Sequence, residues 1–283
     1  MEIKQNALIA TLRSLQGRYK KNGNWLPVPR HFGDSQGTAE YLQRKEDMAF
    51  VDTFRYEYKC FGPDISLKAL EMRLQGLMNR DQNVGPDGSY LVRSIYFDSF
   101  DDRFLLENIN GVDPREKFRI RSYNRDSSRI SLELKRRERG KIGKKSELLD
   151  KEEFDALIFG NYDFNEKDGF LLKRLKALHK SELVSPKVMV EYRRWAYTYP
   201  VGNVRVTFDR MISASSEIGR FFEEDSRSRP VLRAGMSLME IKFDWALPDF
   251  INDALYNEEL SPSTFSKYYL CRRFQRNIVR LPE

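Results

Sequence analysis

Along residues 117–123, Lys117, Arg119, Arg121 and Tyr123 fall on one face of an extended segment, with Phe118 and Ile120 on the other. A second segment sets Glu133, Lys135 and Arg137 against Leu132 and Leu134. Two guanidinium groups two residues apart on a strand face can grip neighbouring phosphoryl groups bidentately, which lysine cannot reproduce. A cationic face of this kind suits an anionic partner, whether nucleic acid, a membrane surface or a phosphate-rich small molecule. One such face alone is an ordinary wet side of an antiparallel sheet. Here the pattern recurs: Arg55, Glu57 and Lys59 oppose three aromatic rings and Cys60; Arg205, Thr207 and Asp209 oppose Val204, Val206 and Phe208; Glu240, Lys242 and Asp244 oppose Met239, Ile241 and Phe243.

The composition narrows the partner. The 283 residues hold 49 Lys and Arg against 42 Asp and Glu, a formal charge of +7, which favours an anionic ligand. His31, His179, Cys60 and Cys271 each stand alone, so neither zinc nor a disulfide framework is expected. Any metal should be a hard ion on carboxylates, and a reducing cytoplasmic setting fits. No apolar run approaches the roughly 20 residues of a membrane span, and no basic-then-apolar leader opens the chain, so a soluble protein is expected. Residues 140–146 imitate a P-loop but lack its Gly-Lys-Ser/Thr ending and follow a strand.

Strands and covering helices must hold these faces. Residues 1–50 read as an appendage: Leu8, Leu12, Leu15 and Tyr19 recur at helical spacing, and residues 22–38 read as a Gly- and Pro-rich loop. Docking on the main domain is the default for it, with peripheral attachment to a membrane partner as the alternative. The main domain, 51–283, opens with a strand at 54–60 and a helix at 66–78 striped by Leu67, Leu70, Leu74 and Leu77. Further strands are expected at 90–98, in a hairpin within 115–145, and at 188–199, 203–209 and 238–244. Helical patterning occupies 150–180, 248–257 and 262–279. The recurring charged face predicts an α+β architecture: an antiparallel closed β-barrel, a tunnel with a polar basic lumen, flanked by helices over its apolar exterior.

Several motifs occur in order: Arg-Tyr-Glu-Tyr-Lys, Ser-Ile-Tyr-Phe-Asp-Ser, Phe-Arg-Ile-Arg-Ser-Tyr, Leu-Glu-Leu-Lys, Tyr-Arg-Arg-Trp-Ala-Tyr, Val-Arg-Val-Thr-Phe-Asp, Met-Glu-Ile-Lys-Phe and Phe-Ser-Lys-Tyr. Over about residues 52–276 the chain thereby resembles the polyphosphate polymerase (VTC) domain of the triphosphate tunnel metalloenzyme, or CYTH-like, superfamily. The resemblance implies that Lys59, Arg119, Arg121, Lys135, Arg205 and Lys267 grip a triphosphate and a growing chain, helped by Lys144 or Lys145. It also implies that Glu240 holds a divalent metal, Mn2+ or Mg2+. The Tyr-x-Arg motif selects Arg194, which alternates with Val190 and Tyr192, with Arg193 beside Glu191 as the reserve.

The expected catalytic set is therefore Arg119, Arg121, Lys135, Arg194 and Arg205, with Lys59, Lys144, Lys145, Lys267 and Arg55 on the substrate. Arg55 stands where hydrolytic members of the superfamily carry a glutamate, which favours the polymerase branch. Thr264 stands where the polymerase pattern has a second lysine. The implied reaction moves the γ-phosphoryl group of ATP onto phosphate or polyphosphate. The attacking oxygen is already anionic near neutral pH, so no general base is required. A tunnel triphosphatase and a non-catalytic polyphosphate binder are the alternatives. Nucleic acid is disfavoured because Tyr56, Tyr58, Phe118, Phe208 and Phe243 alternate away from the cations, leaving Tyr123 as the exception. The sequence leaves the oligomeric state open. Arg55, Glu57, Lys59, Arg119, Arg121, Glu133, Lys135, Arg205, Glu240 and Lys242 are expected to share one lumen.

Overall fold

The computed structural model describes residues 18–21, 24–27, 54–163, 165–257 and 266–275, with 260 and 263. The chain divides into two compact units, Met1–Phe50 and Val51–Glu283. In the first, β1 (Arg18–Lys21) and β2 (Asn24–Pro27) pair antiparallel, Arg18 opposite Pro27. Tyr19 is thus in a strand rather than a helix, and part of the expected 22–38 loop is strand. The Asn22-Gly23 pair is a strong hairpin signal, and it outweighs the helical spacing. The helix expected over Leu8, Leu12 and Leu15 lies outside the described residues, as do His31 and Thr264.

The second unit runs β3 (Phe54–Pro63), α1 (Asp64–Gln75), β4 (Asn79–Arg80), β5 (Tyr90–Asp98), α2 (Arg103–Ile109), β6 (Arg115–Tyr123), β7 (Ile130–Glu138) and β8 (Lys141–Leu149). It continues with α3 (Lys151–Phe159), α4 (Phe170–Glu182), β9 (Ser185–Tyr199), β10 (Val204–Ser215), β11 (Arg229–Pro230), β12 (Met236–Phe243), α5 (Asp249–Ala254) and α6 (Lys267–Gln275). Eight strands close in the order β10–β12–β3–β8–β7–β6–β5–β9, and β9 returns to β10. All these pairings are antiparallel. The closed antiparallel barrel flanked by helices is the architecture the charge alternation predicted.

Three details depart from the sequence reading. Residues 141–149, of which 140–146 read as a turn after a strand, form β8, the strand that completes closure. A glycine at 143 and charges at consecutive positions 144 and 145 leave β8 without clean alternation, so periodicity could not find it. Its seam with β3 holds only two residue pairs among the described residues, Phe54 with Gly143 and Arg55 with Ile142. The helical stretch 150–180 is two helices, and Asp150 opens α3 with a capping box to Glu153. Leu77 lies beyond the end of α1 and is exposed.

The outer faces of β3, β10 and β12 bury Phe208, Met239, Ile241 and Phe243 under Leu67, Leu70 and Leu74 of α1 and Ile251 of α5. A second apolar cluster was not expected. Val92, Val188, Val190, Tyr192, Ile212, Ala214 and Leu238 meet Tyr268, Leu270 and Cys271 of α6. Alternation places Val92 on the side of Ser94, and Val190 on the side of Tyr192, both of which touch Arg121. This cluster therefore lies inside the barrel, and the lumen is polar over only part of its wall. Among the described residues, no helix is long and apolar enough to cross a membrane.

Candidate active site

The polar part of the lumen is a cavity of about 860 Å³ of non-atom space, counting its open side. Ten cationic side chains and two carboxylates, Glu57 and Glu240, line it. The surplus follows from register. On β6 and β7, Arg119 faces Glu133, but Lys117 faces Lys135 and Arg115 faces Arg137. On β3 and β12, Glu57 faces Lys242 and Lys59 faces Glu240.

Three carboxylates hold most of the inner cations in place. Glu57 accepts from Lys135 through both oxygens at 2.9 Å and pairs with Lys59 at 2.9 Å. Burial and the nearby Glu240 push its carboxyl up, yet Lys135, Lys59 and Lys242 together hold it far below the usual range. Glu133 is buried, pairs with Arg119 at 2.6 Å and accepts from Lys144 at 3.0 Å. Its carboxyl too is depressed: Arg119, Arg121 and Lys144 outweigh the desolvation. Glu240 pairs with Lys242 at 2.6 Å and stays ionised despite burial, through Lys242, Lys59 and Lys267. The lysines bear the cost of crowding. Lys135 is pushed down to about 7 by burial and by Lys59, against the pull of Glu57.

A fourth carboxylate lies deeper. Asp209 is fully buried on β10 and takes Arg194 of β9 bidentately, at 2.6 and 2.7 Å. It also pairs with Lys267, the first residue of α6, at 2.6 Å. Arg121 donates to Ser94 Oγ at 3.1 Å and Tyr192 OH at 3.3 Å, and Arg119 donates to Tyr96 OH at 3.1 Å. Each guanidinium is oriented by these bonds and still carries N–H groups not used in them.

Residues 54–274 match the VTC domain family. The chain belongs to the VTC domain family. No curated protein matches it. Among solved structures it is similar to a candidate adenylate cyclase from Bacillus halodurans, at 15% identity over 71% of this chain and 86% of that one, with a TM-score of 0.43. A candidate adenylyl cyclase from Hippeastrum, described as having a dominant triphosphatase activity, matches at 15% identity over 78% and 96%, with a TM-score of 0.45. The Mimivirus capping enzyme triphosphatase matches at 11% identity over 74% and 89%, with a TM-score of 0.31.

Within this VTC domain, Lys59, Arg119, Arg121, Lys135, Arg194, Lys267 and Glu240 all line the cavity. Arg193 points away and pairs with Asp87 at 2.9 Å. The other expected site residues lie elsewhere. Arg205 is on the lumen side of β10, but its guanidinium is drawn past the cavity to Asp81 at 2.7 Å and Tyr90 OH at 2.8 Å. Arg55, near the end of β3, is taken by Asp244 at 2.8 Å. Lys144 does not line the cavity and donates instead to Glu133 at 3.0 Å. Lys145, one residue on, is on the opposite face with its ammonium 4.8 Å over the Phe170 ring. Of the ten residues expected in one lumen, Arg55 and Arg205 are therefore outside the cavity wall, and Glu133 sits behind it. Glu191 is on the outer side, bound to Arg93 at 2.6 Å.

Tyr96, Tyr192, Tyr268, Asn108 and Ser266 line the cavity without having been singled out. The alternation Ser94–Tyr96 and Tyr192–Arg194 carried a signal for two of them. Asn108 and Ser266 come from helix and loop positions with no periodic signal.

Glu240 fits a hard divalent ion as an ionised oxygen donor. Among the described residues no three His, Cys, Asp or Glu converge into a ready-made cage. A metal here would share its shell with phosphate oxygens and water, as small hard cations do.

Proposed function

We propose that this VTC domain is a polyphosphate polymerase that moves the γ-phosphoryl group of ATP onto phosphate or a growing polyphosphate chain. The observation that carries the reading is the cavity wall of ten cations against two carboxylates. Glu133 and Asp209 behind the wall answer Arg119, Arg194 and Lys267, but cations still outnumber carboxylates, and a condensed phosphate would neutralise the surplus. Arg119 and Arg121 would grip adjacent phosphoryl groups, with Lys59, Lys135, Arg194 and Lys267 neutralising charge on the transferred group. Glu240 would hold Mn2+ or Mg2+, which supplies charge withdrawal from phosphate oxygens. Among the described residues none that lines the cavity is a histidine, which suits an attacking phosphate oxygen that needs no base.

Purified protein incubated with ATP and Mn2+ should give a ladder on a gel that exopolyphosphatase removes. Glu240→Gln, which keeps shape but loses the charge, should abolish the ladder while leaving the circular dichroism spectrum unchanged. Release of free phosphate without any ladder would make the protein a tunnel triphosphatase instead. Binding without either product would make it a polyphosphate-binding module.

A further inference from the structure

The cations of β6 are not all answered alike. Arg115, Lys117, Arg119 and Arg121 share one face over six residue steps, about 20 Å at roughly 3.3 Å per residue. At the inner end Glu133 pairs with Arg119, and Glu57 pairs with Lys135. At the outer end Arg115 directly faces Arg137, and Lys117 directly faces Lys135. Like charges opposite each other on an antiparallel pair are destabilising. Among the described residues, no carboxylate forms an ion pair with Arg115, Lys117 or Arg137. Lys117 meets uncharged groups, Asn108 Oδ1, Ser266 Oγ at 3.2 Å and the Tyr268 ring at 5.5 Å, and Arg115 donates to the Val112 carbonyl at 2.7 Å. Burial, with Lys59, Lys135 and Arg115 around it, holds the Lys117 ammonium well below its ordinary pKa.

A folded chain gains nothing from such an arrangement in the absence of an anion. All three side chains line the same cavity as the inner site. Arg115 stands four residues, about 13 Å at roughly 3.3 Å per residue, along β6 from Arg119, and Arg137 stands opposite Arg115.

We propose that Arg115, Lys117 and Arg137 form a second anion subsite, continuous with the inner site, for phosphoryl groups of a condensed phosphate chain lying beyond the inner triphosphate. The ligand class rests on the polymerase reading above; the subsite itself rests on the register of β6 and β7. Its consequence is selectivity for chain length: each further phosphoryl group finds cations that no carboxylate has already neutralised.

Calorimetric titration of the full chain with tripolyphosphate and with long-chain polyphosphate tests it. Wild type should bind the long chain more tightly. Lys117→Met with Arg137→Gln should lose roughly tenfold or more of the long-chain affinity, about the effect of one charge-assisted contact. Tripolyphosphate affinity should change by less than about threefold. The salt dependence for the long chain should become shallower by about one to two released ions. Lys117→Met should also raise Tm, since it removes a partly buried charge that has no anion. If that variant does not fold, Arg137→Gln alone, at the more exposed end, carries the same comparison.

Equal losses for the two ligands, or no loss for either, would overturn the subsite. So would a single-stranded RNA competing as well as polyphosphate. A chain-length preference in a protein that makes no polymer from ATP would sink the polymerase reading and leave the subsite standing. Polymer synthesis without that preference would do the reverse.

Discussion

Asp209 shows how a single carboxylate assembles the site. It is fully buried, takes Arg194 with both oxygens and reaches Lys267 on a different element. Burial pushes its carboxyl up, but Arg194 and Lys267 overcome that and keep it ionised. Removing one partner of such a buried pair leaves an uncompensated charge in a low-dielectric site. Asp209→Asn should therefore lower unfolding stability by about 3 to 5 kcal/mol. Urea unfolding monitored by tryptophan fluorescence measures it, and a loss below about 1 kcal/mol would mean that Arg194 finds another anion. Arg205 makes the opposite point. It alternates correctly with Asp209, yet Asp81 lies closer to its reach than the cavity does.

Among the elements, α6 decides most about the interior. Lys267 enters the cavity, Tyr268 bonds Asp98 and stacks on Tyr96 at 5.1 Å, and Arg272 bonds Asp102. Leu270 and Cys271 fill the apolar part of the lumen. The cysteines report on this docking. Burial pushes both thiols up, Cys271 on α6 within the barrel and the half-buried Cys60 on β3. A thiol reagent at mildly alkaline pH should modify Cys271 at least about tenfold more slowly than Cys60 in the native protein, with both reacting fully in denaturant. Equal native rates would mean that α6 leaves the barrel readily. The weakest seam is the two-pair contact of β3 with β8, and Ser263 N supplements β3 by bonding the Lys59 carbonyl at 2.7 Å.

The whole barrel carries a common electrostatic dependence. Glu57, Glu133, Asp209 and Glu240 all have carboxyls depressed by surrounding cations, against burial. A carboxyl whose folded pKa lies below its unfolded value contributes stability that is present above the unfolded value, about 4, and lost as pH falls below it. Tm should therefore drop steeply between about pH 5 and 3. Glu133→Gln should be less stable at pH 7, because Arg119 loses its partner, and should lose less than wild type on acidification. Thermal unfolding across pH 3 to 7 checks this; parallel profiles for the two proteins would show that Glu133 is not linked to acid stability. Lys135 works in the other sense. Its ammonium, pushed down to about 7, opposes folding most below that pH, and the penalty fades as pH rises from there toward the ordinary lysine value, about 10.5.

Period-two alternation determined, from sequence alone, which side of β3, β6, β7, β10 and β12 is charged, because successive strand residues must face opposite ways. The motif order over residues 52–276 pointed to the family whose match spans residues 54–274. Tertiary structure alone decided three further matters. It placed α6 inside the barrel, which makes part of the lumen apolar and brings Tyr96, Tyr192 and Tyr268 to the cavity. It supplied β8, whose glycine-broken sequence carries no period but which closes the ring. It also distributed the carboxylates. Asp81 and Asp244 take Arg205 and Arg55 out of the site, while Arg115, Lys117 and Arg137 are left without an anion among the described residues. Local spacing fixes the side of a strand on which a charge lies, whereas its partner depends on residues up to hundreds of positions away that only folding brings within reach.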